Sequence, residues 1–204
     1  ARETGRGSAP GSGRPDLPAH RSWASRIGVD TARGMAYLHG RRPAVLHRDL
    51  KSPNVLINEV GIGKVADFGM SRIRVAYGTM TRSVGTVMWS APEALMGQRA
   101  KEKADVYAFA VVLWELIHWM EPYPNAPMVT IAQGVIKGNR PEIDEELTKA
   151  VLGPGAAAII RQAWHQDAEQ RPSFVELVTQ LEDIQNATES ASAAAAVAAA
   201  TAAA

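Results

Sequence analysis

The chain has 204 residues, room for one ordinary domain or two small ones, and carries 22 Lys+Arg against 21 Asp+Glu. The balance is uneven: residues 1–50 hold nine Arg and four acids, while the remaining 154 hold thirteen bases and seventeen acids, which argues against a uniform basic coat for nucleic acid. Cysteine is absent, so disulfides, thiolate metal sites and a cysteine nucleophile are excluded, and stability must come from a packed core.

Residues 1–21 are rich in Arg, Gly, Ser and Pro and nearly devoid of large apolar side chains; they read as a disordered linker that buries too little surface to offset the entropy of ordering. The opening Ala, in place of Met, reads as the start of a processed product or a fragment. From Ser22, the expected N-cap, Trp23, Ile27, Ala32 or Thr31, Met35 and Leu38 return roughly every three to four positions up to Gly40, the spacing of an amphipathic helix. Short strands are predicted at Val55–Ile57 and Lys64–Ala66. A polar stretch from Gly69 to about Ser90 contains Ser71, Tyr77, Thr79, Thr81, Ser83 and Thr86, and long irregular stretches inside a domain are usually functional or mobile. Helices follow over about Lys103–Met120, Val129–Lys137, Ala156–Trp164 and Ser173–Asp183, separated by prolines. The most apolar run, Val106–Trp114, has nine residues between Asp105 and Glu115, too few to cross a hydrocarbon layer of about 30 Å, so it predicts a buried helix with Phe109, Leu113 and Trp114 in the core. No membrane span is expected. Residues 191–204 include eleven Ala and predict a frayed or disordered tail without a docking face.

The chemistry is concentrated at His47-Arg48-Asp49-Leu50-Lys51-Ser52-Pro53-Asn54, where His-Arg-Asp is followed by Asn five residues after the Asp. Asp67-Phe68-Gly69 lies thirteen residues beyond Asn54, and Ala91-Pro92-Glu93 closes a 27-residue segment counted from Asp67. Further on come Asp105 at the head of the apolar helix and Arg171-Pro172 before the last one. Alone, Asp49 reads as a cap, Asp-Phe-Gly as a turn and Lys51 as a solvated lysine. As an ordered set with this spacing they resemble the protein kinase family. Lys51 and Gly85-Thr86 resemble serine/threonine kinases, and Trp89 with the upstream Ser22-Trp23 and Ala36-Tyr37-Leu38-His39 resembles the tyrosine-kinase-like group, Raf-like and mixed-lineage-like, whose members mostly phosphorylate Ser and Thr; dual specificity stays open.

The resemblance spans about Ser22 to Asp183 and implies the larger, C-terminal lobe of a protein-kinase-like fold, mainly α-helical with short strands around the catalytic loop. It divides the chain into a linker at 1–21, the lobe at 22–184 and an Ala-rich tail at 185–204. It implies that Asp49 orients the substrate hydroxyl, Lys51 reaches the transferring phosphate, and Asn54 and Asp67 hold Mg²⁺ beside ATP, with Gly69 letting the backbone swing Asp67. Arg48 would pair with a phosphate on the activation segment, Asp67 to Glu93, whose candidate acceptors are Thr79, Thr81 and Ser83. That phosphate would come from an upstream activating kinase or from autophosphorylation. His47, Asp105 and the distant pair Glu93 and Arg171 take scaffold roles. The implied partner is a protein substrate with a Ser or Thr hydroxyl, with no nucleic acid, in the cytoplasm or equally the nucleus.

A complete kinase also needs a glycine-rich loop, a strand lysine and a helix glutamate. The first lysine of this chain is Lys51 and the only Glu before it is Glu3. Gly5-Arg6-Gly7-Ser8-Ala9-Pro10 imitates half a glycine loop, but Pro10 stands where its third Gly belongs. Two expectations follow: the C-terminal part of an active serine/threonine kinase in signal transduction, or a kinase-like binding or scaffold module without efficient catalysis. On either, these 204 residues alone are expected to show negligible turnover, and the activation segment to be mobile.

Overall fold

The computed structural model describes residues 16–67, 86–99 and 101–202. Phe68, Gly69, Thr79, Thr81 and Ser83, the half glycine loop and the expected mobility of the activation segment lie outside the described residues.

Helix α1 (Leu17–His39) begins six residues earlier than its apolar spacing suggested. Asp16 is the true N-cap, its carboxylate accepting from the Ala19 N–H at 3.3 Å, and a proline sits in the first turn. A proline there loses no helical hydrogen bond, so Leu17–Arg21 extend the helix instead of belonging to a linker. The buried face carries His20, Ala24, Ile27, Thr31, Met35 and Leu38, a run of three- and four-residue steps that continues the predicted stripe by one more turn.

Strands β1 (Val55–Ile57) and β2 (Gly63–Val65) pair antiparallel with Val55 opposite Val65. Their connection is a turn in which the Asn58 side chain accepts from the Ile62 N–H at 2.8 Å and Gly61 takes φ +77°. The hairpin lies flat on α1 because two glycines leave room. A Cβ on Gly63 would stand 3.3 Å from Asp30 Cβ, and one on Gly34 would stand 3.2 Å from Val65 Cγ2.

After a 3₁₀ turn at Thr86–Trp89 and a single helical turn α2 (Pro92–Leu95), helix α3 (Glu102–His118) runs through the middle of the core. Ten consecutive residues, Asp105–Trp114, are buried. A helix buried on every side is one surrounded by others, and α3 touches α1, the Thr86–Trp89 turn, α5 (Glu145–Val151) and α6 (Ala156–Ala163). Helix α4 (Met128–Ile136) packs against α2 and the Thr86–Trp89 turn.

The last helix, α7 (Phe174–Ala202), returns antiparallel along α1: Phe174 meets His39 edge-on at 5.1 Å, and Glu182 pairs with Arg33 at 2.8 Å. A reciprocal cap starts it, with Ser173 N–H and Oγ donating to Glu176 and Ser173 Oγ accepting from the Glu176 N–H. The helix does not stop near Asp183. It continues through the Ala-rich stretch to Ala202, as alanine's propensity allows once a nucleus is in place. No described helix is long and apolar enough to cross a membrane. The result is a mainly helical body with one small hairpin beside the His47–Asn54 loop.

Candidate active site

The loop between α1 and β1 is irregular, so its backbone groups need partners from elsewhere. Asp105, buried in the first turn of α3, supplies them: Oδ2 accepts from the His47 N–H at 2.8 Å and Oδ1 from the Arg48 N–H at 2.7 Å. Arg48 has φ +65°, a left-handed conformation that costs a side-chain-bearing residue about 1–3 kcal/mol and persists only where its surroundings enforce it. His39 at the end of α1 also meets Asp105 Oδ2, at 2.9 Å.

His47 is fixed at both ring nitrogens. Nε2 lies 2.9 Å from the Ala66 carbonyl and must donate to it, while Nδ1 accepts from the Asp49 N–H at 3.3 Å. It is thus a strut between the loop and the end of the hairpin. Asn54 does similar work with its amide nitrogen, donating to the Asp49 carbonyl at 2.8 Å, and its own carbonyl accepts from the Ala66 N–H at 2.9 Å.

At the reactive end, Lys51 Nζ donates to Asp49 Oδ2 at 2.9 Å and reaches Thr86 Oγ1 at 3.4 Å. The other carboxylate oxygen, Asp49 Oδ1, is buried and has no hydrogen-bond partner among the described residues. A buried orphan acceptor calls for an explanation; a donor hydroxyl on an incoming substrate would satisfy it. The structure therefore brings Asp49, Lys51, Asn54 and Thr86 together. Asp67, φ +63°, stands exposed directly after Ala66. With its nitrogen committed to the Asp49 carbonyl, the Asn54 amide has an oxygen, and Asp67 a carboxylate, of the type that a hard cation takes as ligands.

Glu93 and Arg171, 78 residues apart, meet as a two-pronged pair at 2.7 and 2.9 Å. Arg171 is fully buried, and its remaining N–H groups donate to the carbonyls of His165, Lys103 and Gln166. Its guanidinium lies over the Tyr107 ring at 5.2 Å, and burial drives the Tyr107 hydroxyl well above the usual phenol range. Ala91 and Pro92 are buried beside this pair, at the start of α2.

The sequence did not single out Glu115. Its carboxylate accepts from Ser52 Oγ at 3.1 Å and from Trp89 Nε1 at 2.7 Å, tying the Ser52–Asn54 turn to the Thr86–Trp89 turn through α3. Burial pushes its pKa up to about 7, against the lowering effect of those two hydrogen bonds. The available signal was a carboxylate ending an otherwise apolar run. His39 was likewise missed as a partner of Asp105, because nothing local to it announces a contact 66 residues away.

A family model described as protein tyrosine and serine/threonine kinase matches residues 16–181. The chain belongs to the protein kinase family. Similar proteins include the serine/threonine-protein kinase STY46 of Arabidopsis thaliana, 38% identical over 160 residues, which cover 78% of this chain and 27% of the relative. The Arabidopsis serine/threonine-protein kinase CTR1 is 41% identical over 154 residues, 74% of this chain and 18% of that protein. A putative serine/threonine-protein kinase/receptor, R831, of Acanthamoeba polyphaga mimivirus is 39% identical over 167 residues, 82% and 10% of the two chains. The kinase chain thus spans between a tenth and about a quarter of these relatives' lengths. They agree with a place in the tyrosine-kinase-like group of serine/threonine kinases, and the helical body with its hairpin agrees with the kinase large lobe.

Proposed function

We propose that the chain is the large lobe of a protein serine/threonine kinase that transfers the γ-phosphoryl group of ATP to a Ser or Thr hydroxyl of a protein substrate in signal transduction. The observation that carries this reading is the split carboxylate of Asp49, with one oxygen held by Lys51 and the other buried and free. In that arrangement Oδ1 accepts the hydroxyl proton of the substrate and aims its oxygen, while Lys51, anchored between Asp49 and Thr86, presents positive charge toward the transferring group. Mg²⁺, when bound, neutralises charge on the phosphate oxygens; Asn54 and Asp67 are the residues that would hold it. Asp105, His47 and His39 position the loop without touching the substrate. Arg48 is the proposed partner of a phosphate on Thr79, Thr81 or Ser83, added by an upstream kinase or by autophosphorylation, and the protein is proposed to act in the cytoplasm or nucleus.

Within these 204 residues no lysine precedes Lys51, so the isolated chain is proposed to turn over Mg-ATP negligibly. The same observation favours a second reading, in which the chain serves as a kinase-like binding or scaffold module. A chimera separates the two: the STY46 small lobe joined ahead of Leu17, assayed on a mixed Ser/Thr/Tyr peptide library. Phosphorylation confined to Ser and Thr, lost by about 10²–10⁴ in Asp49→Asn, supports the kinase. A folded chimera that binds ATP yet transfers nothing supports the scaffold, and robust transfer by the 204 residues alone overturns the requirement for a small lobe.

A further inference from the structure

Helix α3 ends at a corner that its sequence does not favour. Trp119, its C-cap, takes φ +55°, a left-handed conformation that helix ends usually reserve for glycine and that strains a bulky side chain. Two sets of contacts hold it there: the Trp119 N–H donates to the Glu115 carbonyl at 2.9 Å, and its ring packs edge-on against Trp23 at 5.2 Å and His20 at 5.7 Å. The turn sends Met120–Pro124 across the surface, stiffened by prolines at 122 and 124. Between that segment and the loop joining α4 to α5 lies a groove of about 660 Å³.

The groove has a fixed, apolar floor. The Trp114 indole is pinned by Nε1 donating to the Glu142 carbonyl at 2.7 Å, and His118 stacks on that ring at 4.2 Å. His118 Nε2 accepts from the Asp144 N–H at 3.1 Å, so the two sides are tied together through the floor. The rim is uncovered: Met120 is 53% exposed, and Trp119 beside it 41%. Large apolar side chains left in water around a preformed concavity are the usual anchors of a docking surface. Charge selects what docks. Three carboxylates line the groove, those of Glu121, Glu142 and Asp144, and no Lys or Arg does. Asp144 is engaged as the cap of α5, accepting from the Leu147 N–H at 2.9 Å. The carboxylates of Glu121 and Glu142 have no hydrogen bond or ion pair among the described residues, and the Glu121 charge helps to raise the carboxyl of Glu115.

We propose that this groove docks a segment of a partner protein in which an apolar side chain stands close to a lysine or arginine. The apolar side chain lies over Trp114 and against Met120, and Glu121 and Glu142 meet the cation. Apolar contact supplies most of the affinity, while the carboxylates choose the sign of the partner and steer its approach. None of Asp49, Lys51, Asn54 and Asp67 lines the groove. The proposal therefore stands or falls independently of phosphoryl transfer.

The probe is an array of short synthetic peptides in a Gly/Ser background, each with one Arg and one Leu, adjacent or a few residues apart. The strongest is labelled with fluorescein and titrated with the 204-residue chain by fluorescence anisotropy. It is expected to bind saturably and more weakly as salt rises. Glu121→Gln combined with Glu142→Gln weakens binding at least about tenfold, and Met120→Ser severalfold. Glu59→Gln, an exposed carboxylate in the β1–β2 turn, leaves it unchanged. Matched peptides with Glu in place of Arg, or Ser in place of Leu, bind at least about tenfold more weakly. No saturable binding by any peptide, or equal binding by wild type and the groove variants, each with native circular dichroism, overturns the proposal. So does self-association of the chain that is lost in the same variants while no peptide binds, which assigns the groove to a second copy.

Discussion

The catalytic loop and the hairpin that follows it are neighbours in sequence and are held in opposite ways. Strands β1 and β2 satisfy much of their backbone by pairing with each other, and Leu56 and Ile57 of β1 and Ile62 in the connecting turn remain exposed. The loop from His47 to Asn54 has no such ladder. Two of its amides are taken by Asp105 from 57 and 58 residues away, and its turn is braced by Asn54. Irregular backbone at a reactive centre needs buried polar groups from distant elements, and those groups are costly to disturb. Mutational sensitivity should therefore be steep at the anchors and shallow on the hairpin.

The steepest step is expected at Arg171. Arg171→Ala strands the Glu93 carboxylate and three carbonyls, and breaking a buried pair from one side costs about 3–5 kcal/mol; urea unfolding of the chain reads this directly. A loss below about 1 kcal/mol would show that the anchor is dispensable. Next comes Asp105→Asn, which turns an amide nitrogen toward a backbone donor and should cost about 2–3 kcal/mol. Amide exchange supplies a local check, because the His47 and Arg48 protons should lose protection before those of α7 do.

The same contrast explains what could be read from the sequence. The family was legible at His47–Asn54, Asp67 and Ala91–Glu93 because particular residue types stand there in order at fixed spacings, and α3 was legible because a helix buried on every side is apolar on every side. Glu115, with partners 26 and 63 residues away, was not legible, because a contact between distant segments leaves no local period. The α1 boundary was missed for a different reason: Asp16 and Pro18 form a sound start signal inside a stretch whose overall composition reads as linker. α5, seven residues long, was too short to show a stripe, and the extension of α7 to Ala202 rests on alanine propensity rather than on a patterned face.

Glu115 gives the comparison a pH signature. Burial pushes its carboxyl up to about 7 from the ordinary 4.5, so between these values the folded state holds a proton that the unfolded state has lost. Stability from this group is fully present below pH 4.5 and is lost as pH rises toward 7. Glu115→Gln should flatten that part of the stability profile while the wild-type curve falls. If the two profiles run parallel from pH 4.5 to 7, Glu115 titrates normally and does not link the Ser52 and Trp89 turns as a protonated group.

The smallest effect is expected at the hairpin tip. Val60 is 68% exposed in the β1–β2 turn, and that turn is set by the Asn58 side chain and by the positive φ of Gly61, not by the valine. Val60→Thr removes an apolar group already in water and keeps the β-branch, so it should change stability by no more than about 0.5 kcal/mol. Gly61→Ala, one residue on, is the matched contrast: it forces a side chain into a left-handed conformation and places a Cβ 3.2 Å from Arg26 Nη1. It should cost about 1–2 kcal/mol, still less than Arg171→Ala. Because Arg26 can swing away from the added methyl, most of that cost is backbone strain, which Gly61→Asn should partly relieve, asparagine being more tolerant of positive φ. A Val60→Thr loss as large as that of Gly61→Ala would mean that the exposed face of the hairpin is packed in solution, and that the loop and the hairpin are not held differently after all.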